Sequence, residues 1–255
     1  MEFTTIASGS SGNCIYIKAG NTNLLIDVGC PMKHVKDSLA ALSSSIEDID
    51  AILITHEHSD HISRVAQLSK KYHIPVYASE LTWKNLPFYD DYFRWERHIF
   101  DYGMEIGDIG LDFFRLSHDA VQPVGLLFEH NGHRVAIATD TGMVTPSMYR
   151  KLSNLDGLIF EANHDTSMLM YGSYPFFLKQ RVASDKGHLS NKQAAEALVK
   201  LAGAKTRHII LAHLSEKNNH PDLALQEVSR AFALSDDAPD ISIAPRRAVH
   251  PLIAV

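Results

Sequence analysis

The sequence predicts an α/β fold in four layers, helix–sheet–sheet–helix (αββα), as a single domain spanning residues 1–255. Three observations carry that reading. Short β-branched or apolar runs come in groups at both ends of the chain, helical patterns are interleaved with them and concentrate after residue 145, and several of the runs are apolar throughout instead of alternating. A run without alternation marks a strand covered on both faces. Two groups of such strands bury their faces best as stacked sheets with helices outside. An apolar fraction of 45% over 255 residues is enough for the core that this requires.

The elements follow in order. "EFTTIAS", "CIYIKAG" and "TNLLIDVG" read as strands, separated by the turn chemistry of "GSSGN" and "AGN". "PMKHVKDSLAALSS" opens on Pro and spaces its apolar residues as a helix does. "IDAILIT" is a doubly covered strand, residues 59–72 a helix, and "IPVYAS" a strand again. Residues 80–101, aromatic and mixed in charge, read as short helices. "IGLDFFRLS", "VGLLFEH" and "HRVAIATD" are three strands, the last two joined by a hairpin turn at "NGH". "LDGLIFEAN" and "RHIILAH" are further strands around the helix "SNKQAAEALVKLA", with Ser190 as its expected N-cap. A helix over "PDLALQEVSRAFAL" and a short strand "DISIAP" close the pattern. No internal repeat or low-complexity tract is visible.

A net charge of −6 supplies no global field toward nucleic acid or anionic membrane, although a local basic patch remains compatible with it. Cys14 and Cys30 form no zinc-type pattern and are expected to be reduced core residues. The opening "MEFTTIASGSSG" has neither the basic nor the apolar region of a secretory signal, and no apolar run approaches the roughly 20 residues of a membrane span. The expectation is a cytoplasmic protein.

Histidine is the outlier, at 15 residues, several of them in tight clusters. "AILITHEHSDH" places His56, Glu57, His58, Asp60 and His61 at the end of a buried strand. Such crowding is costly to desolvate unless a positive charge compensates it. On a loop leaving a strand, this spacing lets several side chains converge on one point, and imidazole with carboxylate suits Zn, Mn or Fe. The same grammar, an apolar run followed by one ligand-type side chain, recurs at His118–Asp119, at Asp140 and at His213.

With these residues in view, the chain resembles the metallo-β-lactamase fold superfamily, whose HxHxDH signature "THEHSDH" matches. "ASGSSGNC", "SHDA", "ATDTG", "EANHD", "GHLSN" and "LAHLSEKNN" resemble one branch, the YycJ/WalJ family of small metal-dependent nucleases. The resemblance implies a centre of two divalent metal ions (Zn or Mn, with Fe or Mg as alternatives) and exonuclease action on DNA, RNA being a further possible substrate. It places His56, His58 and His118 around one ion, Asp60, His61 and His213 around the other, and Asp140 between them. It also implies that His188 contacts the scissile phosphate, as a histidine at the matching place does in the ribonuclease Z branch, and that Asp60 helps orient the attacking water.

Further substrate-binding candidates come from the residues themselves. "SGSSGN", with Ser11 and Asn13, can cradle a phosphate through backbone N–H groups. His164 follows another apolar strand. Lys179, Arg181, Lys186 and Lys192 form a basic strip leading to His188, with Tyr174, Phe176 and Phe177 available to stack on bases. An ordinary turn or a solvated helix face is the alternative for each. Two rival classes stand beside the nuclease reading: a small-molecule thioester or lactone hydrolase of the glyoxalase II type, and a non-catalytic metal-binding protein. The first needs no basic strip, and the second would tolerate loss of ligand-type residues. Nothing in the sequence sets the oligomeric state.

Overall fold

The computed structural model describes residues 1–88, 97–235 and 237–255. The first sheet contains β1 (Glu2–Ala7), β2 (Cys14–Ala19), β3 (Thr22–Ile26), β4 (Ala51–Leu53), β5 (Val76–Ala78) and β6 (Arg97–Ile99). The second contains β7 (Met104–Ile106), β8 (Ile109–Arg115), β9 (Val124–His130), β10 (His133–Ala138), β11 (Gly157–Glu161), β12 (His208–Ala212) and β13 (Asp240–Ile243). A last short strand, β14 (Ile253–Ala254), returns to pair with β1. Each sheet starts as an antiparallel meander, to β3 in one and to β10 in the other, and continues as parallel strands.

Side-chain alternation builds three apolar layers. Leu158 and Phe160 of β11 and Ile209 and Leu211 of β12 face outward onto α5 (Pro146–Leu152), α8 (Asn191–Leu201) and α9 (Pro221–Ala231). Ile159 and Ile210, one residue along, face inward and meet Phe3, Ile17, Leu24 and Leu53 of the other sheet. Tyr16, Leu25, Ile52 and Val76 of the first sheet pack outward on α1 (Met32–Ala41), α3 (Val65–Tyr72) and α4 (Glu80–Asn85). The four expected layers are therefore present, and strands apolar throughout are those covered on both faces. Cys14 and Cys30 are buried free thiols. No helix among the described residues is long and apolar enough to cross a membrane.

Two elements differ from the sequence expectation. The helix expected over 59–72 is two, α2 (Ser59–Ile62) and α3, because the Arg64 N–H leaves the helical ladder and donates to the Val28 carbonyl at 2.8 Å. Within 80–101, α4 is helical as expected, but 97–99 is the edge strand β6, paired in parallel with β5; residues 89–96 lie outside the described residues. The "NGH" turn forms as expected, with Asn131 and Gly132 both at positive φ (51° and 80°), the signature of a type I′ hairpin. Ser190 caps α8, its hydroxyl accepting from the Gln193 N–H. Two short helices, α6 (Thr166–Tyr171) and α7 (Phe176–Val182), precede it.

Candidate metal centre

The ligand-type side chains gather at the carboxyl ends of strands. Asp27 directly follows β3, His56 lies two residues beyond Ile54 at the exit of β4, and His118 comes after β8. Asp140 follows β10, Glu161 ends β11 and His213 follows β12. Crevices at this edge of parallel strands are the common ligand site of α/β sheets. Asp27, Asp140 and His213 hold left-handed backbone (φ 56°, 61° and 58°), a conformation that non-glycine residues adopt at a cost of order 1 kcal/mol and that here turns each side chain into the crevice. The 56–61 loop fits because Gly29 has no side chain: a Cβ there would sit 1.6 Å from the Asp60 carbonyl oxygen. Val28 N–H and Asn13 N–H clamp the same loop by donating to the His61 and Asp60 carbonyls, each at 2.8 Å.

The potential donor atoms of His56, His58 and His118 all lie within 4.8 Å of one another, as do those of Asp60, His61 and His213, and those of His56, His61 and Asp140. Two bonds of about 2.1 Å through one cation span such separations. His61 Nε2 is 3.4 Å from Asp140 Oδ2 and 3.6 Å from Asp60 Oδ2, and His213 Nε2 is 3.4 Å from Asp140 Oδ1. The sequence-expected set His56, His58, Asp60, His61, His118, Asp140 and His213 is thus brought together. His56 Nε2, Asp140 Oδ2 and His213 Nε2 are buried without a hydrogen-bond partner. An unmet buried polar atom costs about 1–3 kcal/mol, and three in one cluster, on imidazoles and a carboxylate, are what a bound cation would satisfy. The residues fit a metal.

The imidazoles of the cluster other than His58 are oriented from behind, which frees the other nitrogen of each for the cluster. Thr55 Oγ1 donates to Asp27 Oδ2 at 2.8 Å and so accepts from His56 Nδ1 at 3.0 Å. His61 Nδ1 donates to the same Asp27 oxygen at 2.7 Å. His118 Nδ1 donates to the Gly187 carbonyl at 3.1 Å. His213 and His188 both turn Nδ1 to Glu161 Oε1, at 3.2 and 2.7 Å. Glu161 Oε2 accepts from Thr141 N–H and Leu189 N–H, so this fully buried carboxylate is saturated by donors. It is an anchor, although its oxygens lie close to Asp140, His188 and His213.

Charge follows geometry. Burial alone would lower the His61 imidazole, but Asp27, Asp140 and Asp60 outweigh it and hold it up at about 9. His213 is likewise raised against its burial by Asp140, Asp60 and Glu161. His56, buried among other imidazoles, is pushed well down by burial and then by its neighbours. The carboxylates of Asp60 and Glu161 stay well below their usual range, because facing histidines overcome the cost of burial. Protons and cations therefore compete for one cluster.

The other candidate residues fall out as follows. His188 sits on the loop before α8 and lines the cleft of about 240 Å³ that the cluster opens into. Asn13 does not offer its backbone amide to a substrate: its N–H donates to Asp60 O, and its side-chain amide donates to Asp60 Oδ2 at 3.2 Å and lies 3.0 Å from His61 Nε2. Ser11 lines a neighbouring cavity, and Ser10 lines the cleft in its place. His164 is buried behind the cleft, 3% exposed, with burial pushing its imidazole down to about 4. Arg181 lines the cleft but is paired with Asp119 at 2.6 Å, and Lys179 donates to the Met170 carbonyl instead of facing the cleft. Asp27, Thr55 and Glu161 were not expected.

Asp27 links both walls of the 56–61 loop, so Asp27→Asn is expected to weaken metal binding by roughly 10–100-fold, the usual cost of losing a partner behind a ligand. Chelator-competition titration measures this; affinity equal to the wild type would show that Thr55 alone orients the ring pair.

Two sheets meeting in a cation-binding crevice define a metal-dependent hydrolase scaffold. The chain belongs to the metallo-β-lactamase superfamily: the Beta-lactamase superfamily domain matches residues 22–214. Within it, the chain is similar to exodeoxyribonuclease WalJ of Streptococcus pneumoniae, 42% identical over 240 residues that cover 92% of this chain and 89% of that protein. It is similar also to exodeoxyribonuclease YycJ of Bacillus anthracis, 39% identical over 241 residues covering 91% and 89%. The solved metallo-β-lactamase-fold protein YhfI of Bacillus subtilis shares the fold, with a TM-score of 0.73 and 20% identity over 98% of this chain and 99% of that one. The family resemblance read from the motifs holds.

Proposed function

We propose that this protein is a metal-dependent exodeoxyribonuclease that hydrolyses DNA phosphodiesters at a pair of divalent cations. The observation that carries the reading is the convergence of the donor groups at the strand ends with His188 beside them, in a chain about 40% identical to two exodeoxyribonucleases. His56, His58 and His118 would hold one ion, Asp60, His61 and His213 the other, and Asp140 would serve both. The mixed imidazole and carboxylate set suits zinc or manganese. When bound, the cations supply the acidity that yields a nucleophilic hydroxide near neutral pH and a positive charge beside the phosphate.

The chain's own groups do the rest. His188 donates its Nδ1–H to Glu161 Oε1 at 2.7 Å and lines the cleft; as the imidazolium, its Nε2–H would be a donor to charge developing on a phosphate oxygen. Asp60 Oδ2 accepts from Asn13; its second oxygen is available to orient water. Tyr174 lines the cleft, and Phe176 and Phe177, 73% and 71% exposed, share α7 with the cleft-lining Leu178 and Arg181 and offer stacking faces for unpaired bases. Of the basic strip, Lys186 and Lys192 have no ion-pair partner among the described residues.

Incubating the metal-loaded protein with 5′- and 3′-labelled single- and double-stranded DNA should release nucleotides stepwise from one end. The triple variant Lys179→Ala, Arg181→Ala, Lys186→Ala should flatten the log–log salt dependence of DNA affinity by about 1–2 units, because Arg181 and Lys179 already have partners. Hydrolysis of bis(p-nitrophenyl) phosphate should survive those changes. Thioester turnover well above phosphodiester turnover, without salt-sensitive DNA binding, would establish the small-molecule hydrolase instead.

A further inference from the structure

The turn Gly9–Gly12 separates two hollows. Ser10 lines the metal cleft, while Ser11 and Gly12 line a second cavity of about 340 Å³. The far wall of that cavity is made by His34 at the start of α1 and by Arg246 and Arg247 after β13, and no carboxylate lines it. Two guanidiniums converging on one hollow stand out in a protein of net charge −6. Arg246 is fixed in place: Nη1 pairs with Glu216 at 2.9 Å, and Nη2 donates to the carbonyl of Leu214, the residue after His213. Arg247 is exposed and has no hydrogen-bond or ion-pair partner among the described residues. The amides of Ser10 and Ser11 donate to no protein acceptor among the described residues, while their neighbours Gly9 and Gly12 do.

A planar guanidinium matches two phosphate oxygens at once, and consecutive residues of the turn face the two hollows. We propose that this cavity binds the phosphate adjacent to the scissile one, so that the DNA strand crosses the Ser10–Ser11 turn with one phosphate on each side. The inference rests on the nuclease reading and adds a second phosphate site to it. A substrate with a single phosphodiester uses only the metal cleft; a strand uses both hollows.

Arg247→Ala tests this, since an exposed side chain without partners can be removed from a folded protein. With metal-loaded enzyme and a DNA oligonucleotide, KM should rise about 10-fold, the loss of a charge-assisted hydrogen bond, with kcat little changed. The salt slope of affinity should flatten by about 0.7–0.9. For bis(p-nitrophenyl) phosphate, kcat/KM should stay at the wild-type value. An uncharged methylphosphonate, placed in turn on each side of the cleaved bond, should at one of the two positions weaken the wild type by a similar factor and the variant no further. Unchanged KM and slope, or an equal loss on the small diester, overturns the proposal while wild-type DNA cleavage keeps the nuclease reading. Absence of wild-type DNA cleavage removes both.

Discussion

Asp140→Asn should abolish most of the activity and disturb both ion positions in one change. Asp140 is 2% exposed and stands within 4 Å of nitrogens on His61, His118 and His213, so its carboxylate faces both halves of the cluster. Asparagine keeps the shape and tolerates the left-handed backbone at φ 61°, which isolates the charge from the fold. A cation's contribution to the transition state is several kcal/mol, so DNA hydrolysis should fall roughly 10³-fold or more. Elemental analysis should show metal content dropping from near two per chain to less than one. Full metal content with full activity would remove Asp140 from the centre and undo the assignment of both ions.

His188→Ala should slow DNA cleavage by about 10²–10³-fold, the usual effect of losing one donor to a developing oxyanion, while leaving metal content intact. The separation between the two readouts follows from the hydrogen bonds. Glu161 keeps Thr141 N–H, Leu189 N–H and His213 after His188 is removed, so the ring that faces the cluster stays anchored. Metal loss in this variant would make His188 a ligand, and an unchanged rate would reduce it to a residue of the loop before α8.

Most of the fold and of the converging groups was legible because both are written in the same pattern, an apolar run ending on one polar side chain. Where that pattern was applied, at His118, Asp140 and His213, the structure brings the residues together. Where it was read late, it misled. In "LIFEANHD" the strand ends on Glu161, yet the sequence points by residue type to His164; Asp165, beside it, caps α6 by accepting from the Met168 N–H. In "TNLLIDVG" Asp27 carries the same signature, although the run reads only as a strand. Asp27 and Glu161, which orient rings from behind, show no clustering with them in sequence, since His61 lies 34 positions from Asp27 and His188 and His213 lie 27 and 52 from Glu161. The matching strand directions of the two sheets were equally hidden, because they lie in the connections and not in residue identities. The basic strip shows a different limit: composition counts charges but cannot see that Arg181 is paired with Asp119.

The second wall of the crevice is a row of adjacent parallel strand ends, with Ala138, Phe160 and Leu211 in register and Asp140, Glu161 and His213 at or just beyond them. Their lateral spacing is inherited from the sheet, about 4.8 Å per strand. One aliphatic side chain can replace another along β10, β11 or β12 without moving these groups. Deleting a single residue from any of the three would draw its terminal group back by about 3.3 Å and turn it to the opposite face. Sequence drift inside these strands is therefore cheap and length change is ruinous, so new substrate preferences have room to arise in the turns around the crevice while the spacing of its reactive groups is held by a count of residues.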